Sequence, residues 1–232
     1  MEFSNNKAKI LEHILEKPKP LTQEKRKVVV SNGKYVRILA GAGAGKTETL
    51  TRRVAYLLLV KDVEPKSIVA FTFTERAAQS MKSRIYQRVK ELGGEDVCAR
   101  LGEMYIGTIH GYCFRLIQDK FGYGNYDAMD ENQEMAFLMR EGWSLGLGVN
   151  GNYSENCSKF LESGAVVYNE LIDREKLDAK APDFARHLKK YEDLLSEHKL
   201  LTFNRMIDLA VENVAKTPEA VSDCKFLIVD EY

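Results

Sequence analysis

The sequence predicts an α/β protein in which a parallel β-sheet is flanked by helices and interrupted by a mainly helical inserted subdomain. Three observations predict this fold. A glycine-rich turn follows an apolar run at 36–39, further β-branched and aromatic runs occur near residues 70 and 105, and a final apolar run ends in Asp-Glu. Helical patterns separate these runs, and strands that alternate with helices favour a parallel sheet.

Composition describes an ordinary globular protein. The chain has 232 residues, of which 44% are hydrophobic and 29% charged, and its 34 basic and 34 acidic side chains give zero formal net charge. No global attraction to nucleic acid is therefore expected, although a local basic groove is compatible with this balance. Four scattered cysteines without a C-x-x-C pair indicate reduced thiols. No stretch approaches membrane-spanning length, so we expect a cytoplasmic protein without a membrane partner.

The segment 36–47, VRILAGAGAGKT, is the central motif of the sequence. Val36, Ile38 and Leu39 predict a short buried strand, and Lys46-Thr47 begins a segment whose apolar residues recur at helical spacing. Strand, glycine-rich turn, Gly-Lys-Thr and helix together form the pattern of a phosphate-binding P-loop. Ala40 replaces the first consensus glycine, but it ends the predicted strand and three glycines follow it.

A P-loop directs its backbone N–H groups and a helix N-terminus at one anion. Lys46 is expected to reach the β- and γ-phosphates and to act in catalysis, and the Thr47 hydroxyl to ligate Mg²⁺. A glycine-rich turn without a nucleotide is the alternative interpretation. The residues predicted to contact the nucleotide are Ala42, Gly43, Ala44, Gly45, Lys46, Thr47 and Glu48.

The run KFLIVDEY predicts the second half of this site. Asp230, at the end of the apolar run, is expected to hold Mg²⁺ directly or through water, and Glu231 to polarise the attacking water. Alone the pattern is weak, since many exposed strand ends carry acids, but paired with Lys46-Thr47 it predicts a nucleotide-hydrolysing site.

The distance along the chain between Lys46 and Asp230 predicts the domain organisation. Residues 1–126 form the first part of an ATP-binding domain, with an N-terminal helix over 5–17. Strand patterns disappear over 127–219, which is predicted to be a helical insertion looped out of that domain. Residues 220–232 then return as a strand that ends in Asp-Glu.

Five segments in this order resemble the superfamily 1 DNA helicases of the UvrD/Rep type. AGAGAGKT is similar to motif I, FTFTERAA to motif Ia, GTIHGYC to motif Ib and VDEY to the start of motif II, with LTQEKRKVV before them. The resemblance covers nearly the whole chain. It implies the first RecA-like domain of an ATP-dependent 3′-to-5′ DNA helicase, with a helical subdomain inserted between motifs Ib and II. ATP and Mg²⁺ are the implied cofactors, and single-stranded DNA and duplex junctions the implied partners.

The same resemblance implies a groove for single-stranded DNA along motifs Ia and Ib. Phe73 takes the position of an aromatic that stacks on a base, and Thr108 and His110 lie at the DNA face. Base stacking combined with contacts to the DNA backbone lets such proteins bind single strands without sequence preference. Without the family, Phe73 would be interpreted as a core aromatic and His110 as a satisfied polar residue.

Two departures from the family pattern change these expectations. The family carries a glutamine, in L-N-x-x-Q-R, that hydrogen-bonds the adenine edge. This chain has Lys25 there, with Gln23 two residues earlier as the candidate substitute. A lysine has donors only, so weak discrimination of ATP from GTP is expected.

The second departure is that the sequence stops at Tyr232. Motifs III to VI, the second RecA-like domain and its arginine finger are absent, so the chain is expected to be an N-terminal fragment that is inefficient as a motor. The alternatives are the helicase subunit of a helicase–nuclease complex and a nucleotide- and DNA-binding module without turnover.

Overall fold

The computed structural model describes residues 2–41, 43–148 and 151–230. The chain divides into two compact units: the first is Met1–Ile109 with Val221–Tyr232, and the second is His110–Ala220. The second unit therefore begins at His110, whereas the sequence predicted that the insertion begins at 127. Cys113 and Ile117 explain the earlier start, because they are buried in one apolar cluster with Leu201 and Met206.

The described residues form eleven α-helices and five β-strands. The helices are α1 (Glu2–Glu16), α2 (Gln23–Val30), α3 (Lys46–Leu59), α4 (Glu75–Glu91), α5 (Glu95–Arg100), α6 (Ile109–Lys120), α7 (Glu131–Glu141), α8 (Tyr153–Asn169), α9 (Arg174–Lys180), α10 (Pro182–Glu197) and α11 (Phe203–Lys216). The strands are β1 (Ile68–Phe71), β2 (Tyr105–Gly107), β3 (Asp127–Met129), β4 (Leu200–Thr202) and β5 (Phe226–Val229). None of the helices within these described ranges is long and apolar enough to cross a membrane.

The first unit contains a parallel sheet in the order β2-β1-β5. Val69 of β1 is in register with Tyr105 on one side and with Leu227 on the other. This confirms the strands predicted near residues 70 and 105 and before Asp230. All three strands run in one direction, so the residues that follow them lie at the same edge of the sheet.

The predicted strand at 36–39 is wrong: among the described residues no strand is formed there. Leu39 is 83% exposed and Val36 48% exposed, and only Ile38 packs against the core of the first unit. A buried strand needs a hydrogen-bonded neighbour and apolar cover on both faces. This segment has neither in the described chain.

Helix α4 packs on the sheet with residues that recur every three or four positions, whereas nearly every residue of α3 after its first turn is buried. The inner face of α4 is formed by Ala78, Met81, Ile85 and Val89, all nearly inaccessible to water. Burial of each large apolar side chain contributes about 1.5–3 kcal/mol. The helix begins after Thr74, whose hydroxyl accepts a hydrogen bond from the Ala77 N–H and so satisfies one donor of the first turn.

The second unit is mainly helical, as predicted, but it also contains a two-stranded parallel sheet of β3 and β4. The sequence did not predict these strands, because three residues are too few to show an alternating pattern. Helix α7 begins directly after β3 with a capping box in which Asp130 and Gln133 bond each other's backbone. The larger of the two apolar clusters in this unit includes Leu138, Phe160, Leu188 and Tyr191.

Candidate functional site

The glycine-rich turn between residues 40 and 46 has the backbone shape of an anion-binding loop. Gly43 and Gly45 have φ values of 72° and 82°, in the left-handed region that favours glycine. The Ala44 N–H donates to the Gly41 carbonyl at 3.3 Å, and α3 begins at Lys46 directly after Gly45. Ala42, also predicted to contact the nucleotide, lies outside the described residues. The described part of the loop therefore presents backbone donors and a helix N-terminus at one place.

Two side chains of the first turn of α3 flank this loop. The Lys46 Nζ donates to the Ala40 carbonyl at 3.1 Å, so the ammonium reaches back across the turn to the residue at its start. The Thr47 hydroxyl donates to Asp230 Oδ2 at 3.1 Å. The structure thus brings together Thr47 and Asp230, although they are 183 positions apart in sequence, and Lys46 lies next to Thr47 at the start of α3.

Strand β5 positions Asp230. Its four residues pair with β1, and the Asp230 N–H extends the ladder by donating to the Phe71 carbonyl at 2.9 Å. The carboxylate therefore emerges at the carboxyl edge of the sheet, against the first turn of α3. Glu231, the predicted catalytic acid, lies outside the described residues.

The Thr47 hydroxyl and the Asp230 carboxylate fit a Mg²⁺ site. Both are hard oxygen donors, and Mg²⁺ commonly takes one or two protein oxygens and completes its shell with water and substrate phosphates. Within the described ranges, no group of three or more His, Cys, Asp or Glu side chains could hold a metal. The donor set is consistent with an ion that depends on the nucleotide for its remaining ligands.

The carboxylate of Glu48 does not face the loop. It accepts hydrogen bonds from Arg52 Nε and Arg88 Nη2, each at 2.7 Å. We call these three residues the Arg52 cluster. Because both arginines occupy this carboxylate, the contact predicted between Glu48 and a nucleotide is restricted to its backbone N–H.

Arg52 is the most deeply buried charge of the first unit. Its side chain is 2% exposed, and its guanidinium donates to the carbonyls of Ile14, Leu15 and Lys19 at 2.9–3.2 Å. Arg88 also binds the Lys17 carbonyl, and burial lowers its pKa, although the neighbouring Glu48 opposes this shift. Two arginines therefore hold the end of α1 against α3. The sequence offered only the i,i+4 spacing of Glu48 and Arg52 as a signal.

Lys25 approaches the loop from α2. Its Nζ lies 3.3 Å from the position that a Cβ on Gly45 would occupy. Gln23, the candidate adenine contact, is exposed at the first position of the same helix. Of these two residues, the structure places the lysine at the glycine-rich loop.

The residues predicted to bind DNA follow the ends of β1 and β2. Phe73 is 79% exposed, so it is not the core aromatic that the residues alone suggested. The Thr108 hydroxyl donates to Glu75 Oε1 at 3.1 Å, while the Tyr105 hydroxyl donates to the Thr108 carbonyl at 2.8 Å. Gly107 permits this turn, because a Cβ there would meet the Tyr105 hydroxyl at 2.6 Å.

His110 is the first residue of the second unit. Its side chain is exposed, and its ring lies against that of Phe203, with 5.7 Å between the centroids. The structure therefore leaves the imidazole accessible to a ligand of that unit.

Comparison with known proteins gives one consistent result. The model of the UvrD/REP helicase N-terminal domain family matches residues 21–232. The chain is 29% identical to ATP-dependent DNA helicase UvrD1 of Mycobacterium leprae, over 91% of this chain and 28% of that protein. It is 30% identical to ATP-dependent DNA helicase PcrA of Staphylococcus epidermidis, over 92% of this chain and 30% of that protein. The chain thus spans less than a third of the length of these relatives.

Proposed function

Because the chain belongs to the UvrD/REP helicase N-terminal domain family, we propose that it binds Mg-ATP and single-stranded DNA as part of an ATP-dependent 3′-to-5′ DNA helicase. The observation that best supports a nucleotide site is the hydrogen bond between Thr47 and Asp230. It joins the P-loop helix to the acid at the end of β5, which are the two halves that a Mg-nucleotide site requires.

In this proposal the loop N–H groups from Ala42 to Thr47 surround the phosphates. Lys46 exchanges its bond to the Ala40 carbonyl for the β- and γ-phosphates, and neutralises charge that develops as the γ-phosphoryl group leaves. Thr47 and Asp230 would hold Mg²⁺, which would supply further charge neutralisation. Glu231 orients and polarises the attacking water.

Single-stranded DNA is proposed to cross the carboxyl edge of the sheet near Phe73 and Thr108. The exposed ring of Phe73 offers a face for base stacking, which contributes about 1–3 kcal/mol per base. Thr108 and His110 supply polar groups for the backbone. In the whole protein, a second RecA-like domain would close on the nucleotide and move the strand past Phe73 toward a duplex junction.

The nucleotide part of this proposal is tested by titrating the chain with a fluorescent mant-ATP analogue in the presence of Mg²⁺. Lys46→Ala is expected to abolish saturable binding, because it removes the cation of the phosphate site. Lys34→Ala changes an exposed lysine upstream of the loop and serves as the matched control. Equal affinity of Lys46→Ala and the unchanged protein would refute the P-loop assignment.

The DNA part is tested by fluorescence anisotropy with a labelled oligothymidylate. Phe73→Ala is expected to weaken binding about fivefold or more, because one stacked base is lost. Tyr86→Ala removes another exposed aromatic of the first unit and is expected to leave affinity unchanged. Equal losses in both variants would indicate non-specific binding rather than a site at Phe73.

A further inference from the structure

Lys25 occupies an unusual place for a residue of α2. It is half-buried, and its Nζ lies 3.3 Å from the position of a Cβ on Gly45. Gly45 immediately precedes Lys46, whose own ammonium binds the Ala40 carbonyl. Two lysines from different helices thus converge on the same short loop.

No carboxylate neutralises Lys25 in the described part of the chain. Three lysines of the described chain have an acid within ion-pair distance, namely Lys7, Lys66 and Lys159, whereas most lysines, like Lys25, have none. Lys25 differs from the exposed ones because it is half-buried beside the glycine-rich loop. Glu48, the acid in the first turn of α3, is already bound by two arginines. A half-buried ammonium without a counter-ion is unfavourable, and it favours the arrival of an anion.

We propose that Lys25 is a phosphate-binding residue, and that the site accepts nucleoside 5′-triphosphates with little discrimination between bases. This inference rests on the proposed function, because it assumes that the P-loop binds a nucleotide. The Lys25 ammonium donates to non-bridging phosphate oxygens beside Gly45 and adds a second cation to that of Lys46. A lysine binds phosphate as a point charge.

The weak discrimination between bases follows from the same geometry. An ammonium engaged with phosphate cannot also contact a base edge, and it has no acceptor with which to pair the adenine amino group. The exposed Gln23 lies at the start of α2, two positions before the residue that approaches the loop. The position that would select adenine is therefore used to bind the part that all nucleotides share.

The test compares three variants by titration with mant-ATP, mant-GTP and mant-AMP in the presence of Mg²⁺. Lys25→Met removes the charge without adding a group that could contact a base, and Lys25→Arg retains the charge. Lys27→Met changes an exposed lysine of the same helix and is the matched control. Thermal unfolding of each variant verifies that the fold is retained.

Lys25→Met is expected to weaken mant-ATP and mant-GTP by the same factor of about ten or more, the value of one charge-assisted hydrogen bond. Binding of mant-AMP should change less, and the salt dependence of mant-ATP binding should become shallower. Lys25→Arg should retain most of the affinity, and Lys27→Met should match the unchanged protein.

Two results would overturn the inference. One is unchanged triphosphate affinity in Lys25→Met. The other is a loss confined to one base, which would make Lys25 a base-selective residue. Lys46→Ala separates these outcomes from failure of the proposed function. If Lys46→Ala abolishes binding while Lys25→Met has no effect, the P-loop assignment stands and only the role of Lys25 is refuted.

Discussion

Each unit contains a buried cluster of ion pairs, and the two clusters use arginine differently. In the first unit, Arg52 donates to one carboxylate and to three backbone carbonyls. In the second, side chains from α9, α10 and α11 bind one another: Arg174 pairs with Glu192 and Asp208, and Arg205 also pairs with Asp208. The first cluster fixes backbone, whereas the second joins side chains of neighbouring helices.

This difference has a functional consequence. The Arg52 cluster holds the end of α1 against the first two turns of α3, and the first of those turns carries Lys46 and Thr47. A change there is expected to alter both the stability of the fold and nucleotide binding at the proposed phosphate site. The cluster around Asp208 lies within the second unit, so a change there is expected to alter stability alone. From this contrast we infer that a buried charge influences nucleotide binding when it holds the backbone that leads to the binding loop.

The largest effect is expected from Arg52→Ala. Removal of the guanidinium leaves the Glu48 carboxylate with one partner fewer and three backbone carbonyls, one of them fully buried, without this donor. The free energy of unfolding should fall by about 3–5 kcal/mol, the usual result of breaking a buried ion pair. Urea denaturation measures the loss, and mant-ATP titration below the transition should show weakened binding.

Arg52→Lys is the matched control for this variant. It retains the charge but cannot reach four acceptors with the planar fork of a guanidinium, so an intermediate loss is expected. An unchanged denaturation midpoint in Arg52→Ala would contradict the structural role of the cluster. If Arg52→Ala shows the full loss of stability but binds mant-ATP with unchanged affinity, the proposed link between the Arg52 cluster and the P-loop is contradicted.

A smaller effect is expected from Asp208→Ala. The carboxylate is buried and binds Arg174 and Arg205, but Glu192 remains as a partner of both arginines. The loss of stability should be about 2 kcal/mol, the scale of a hydrogen bond to a charged group. Urea denaturation measures it. Weaker binding of mant-ATP by this variant would break the proposed distinction between the two clusters.

The smallest effect is expected from Glu134→Gln, which tests a half-buried acid that has no cationic partner among the described residues. Burial raises the pKa of Glu134, although a hydrogen bond from the Tyr191 hydroxyl opposes this. A raised carboxyl pKa in the folded state means that stability is lost as pH rises through that pKa. Glutamine does not ionise, so it removes this pH-dependent loss of stability. Its side-chain carbonyl can still accept the hydrogen bond from the Tyr191 hydroxyl.

Thermal unfolding at two pH values measures this effect. The variant should be slightly more stable than the unchanged protein at pH 7, and its advantage should shrink near pH 4, where the carboxyl of the unchanged protein is protonated. An advantage of the same size at both pH values would show that the charge of Glu134 does not matter.

The sequence predicted the parts of the fold that depend on local pattern. The turn before Lys46, the helix that begins there and the strand before Asp230 all have residue types that favour one backbone conformation. The segment 36–39 has equally apolar residues, yet it is exposed and forms no strand. An apolar β-branched run indicates only that a segment could fit a sheet, and whether it does depends on neighbours elsewhere in the chain.

The candidate site was predictable to a similar degree. Lys46 and Thr47 follow from a motif with a known mechanism, and the pairing of Thr47 with Asp230 followed from the requirement for one metal site. The approach of Lys25 to Gly45 and the occupation of Glu48 by two arginines could not be predicted, because both depend on how separate helices pack. Sequence spacing describes contacts within one helix but not those between helices.

The central claim is that Thr47 and Asp230 belong to one Mg-nucleotide site, and the dependence of nucleotide affinity on Mg²⁺ tests it most directly. The unchanged protein should bind mant-ATP more tightly with Mg²⁺ than with EDTA. Asp230→Asn retains the shape and the bond to Thr47 but removes the charge, so it should lose this enhancement while binding in EDTA is preserved. If Mg²⁺ enhances binding equally in Asp230→Asn, the claim is contradicted.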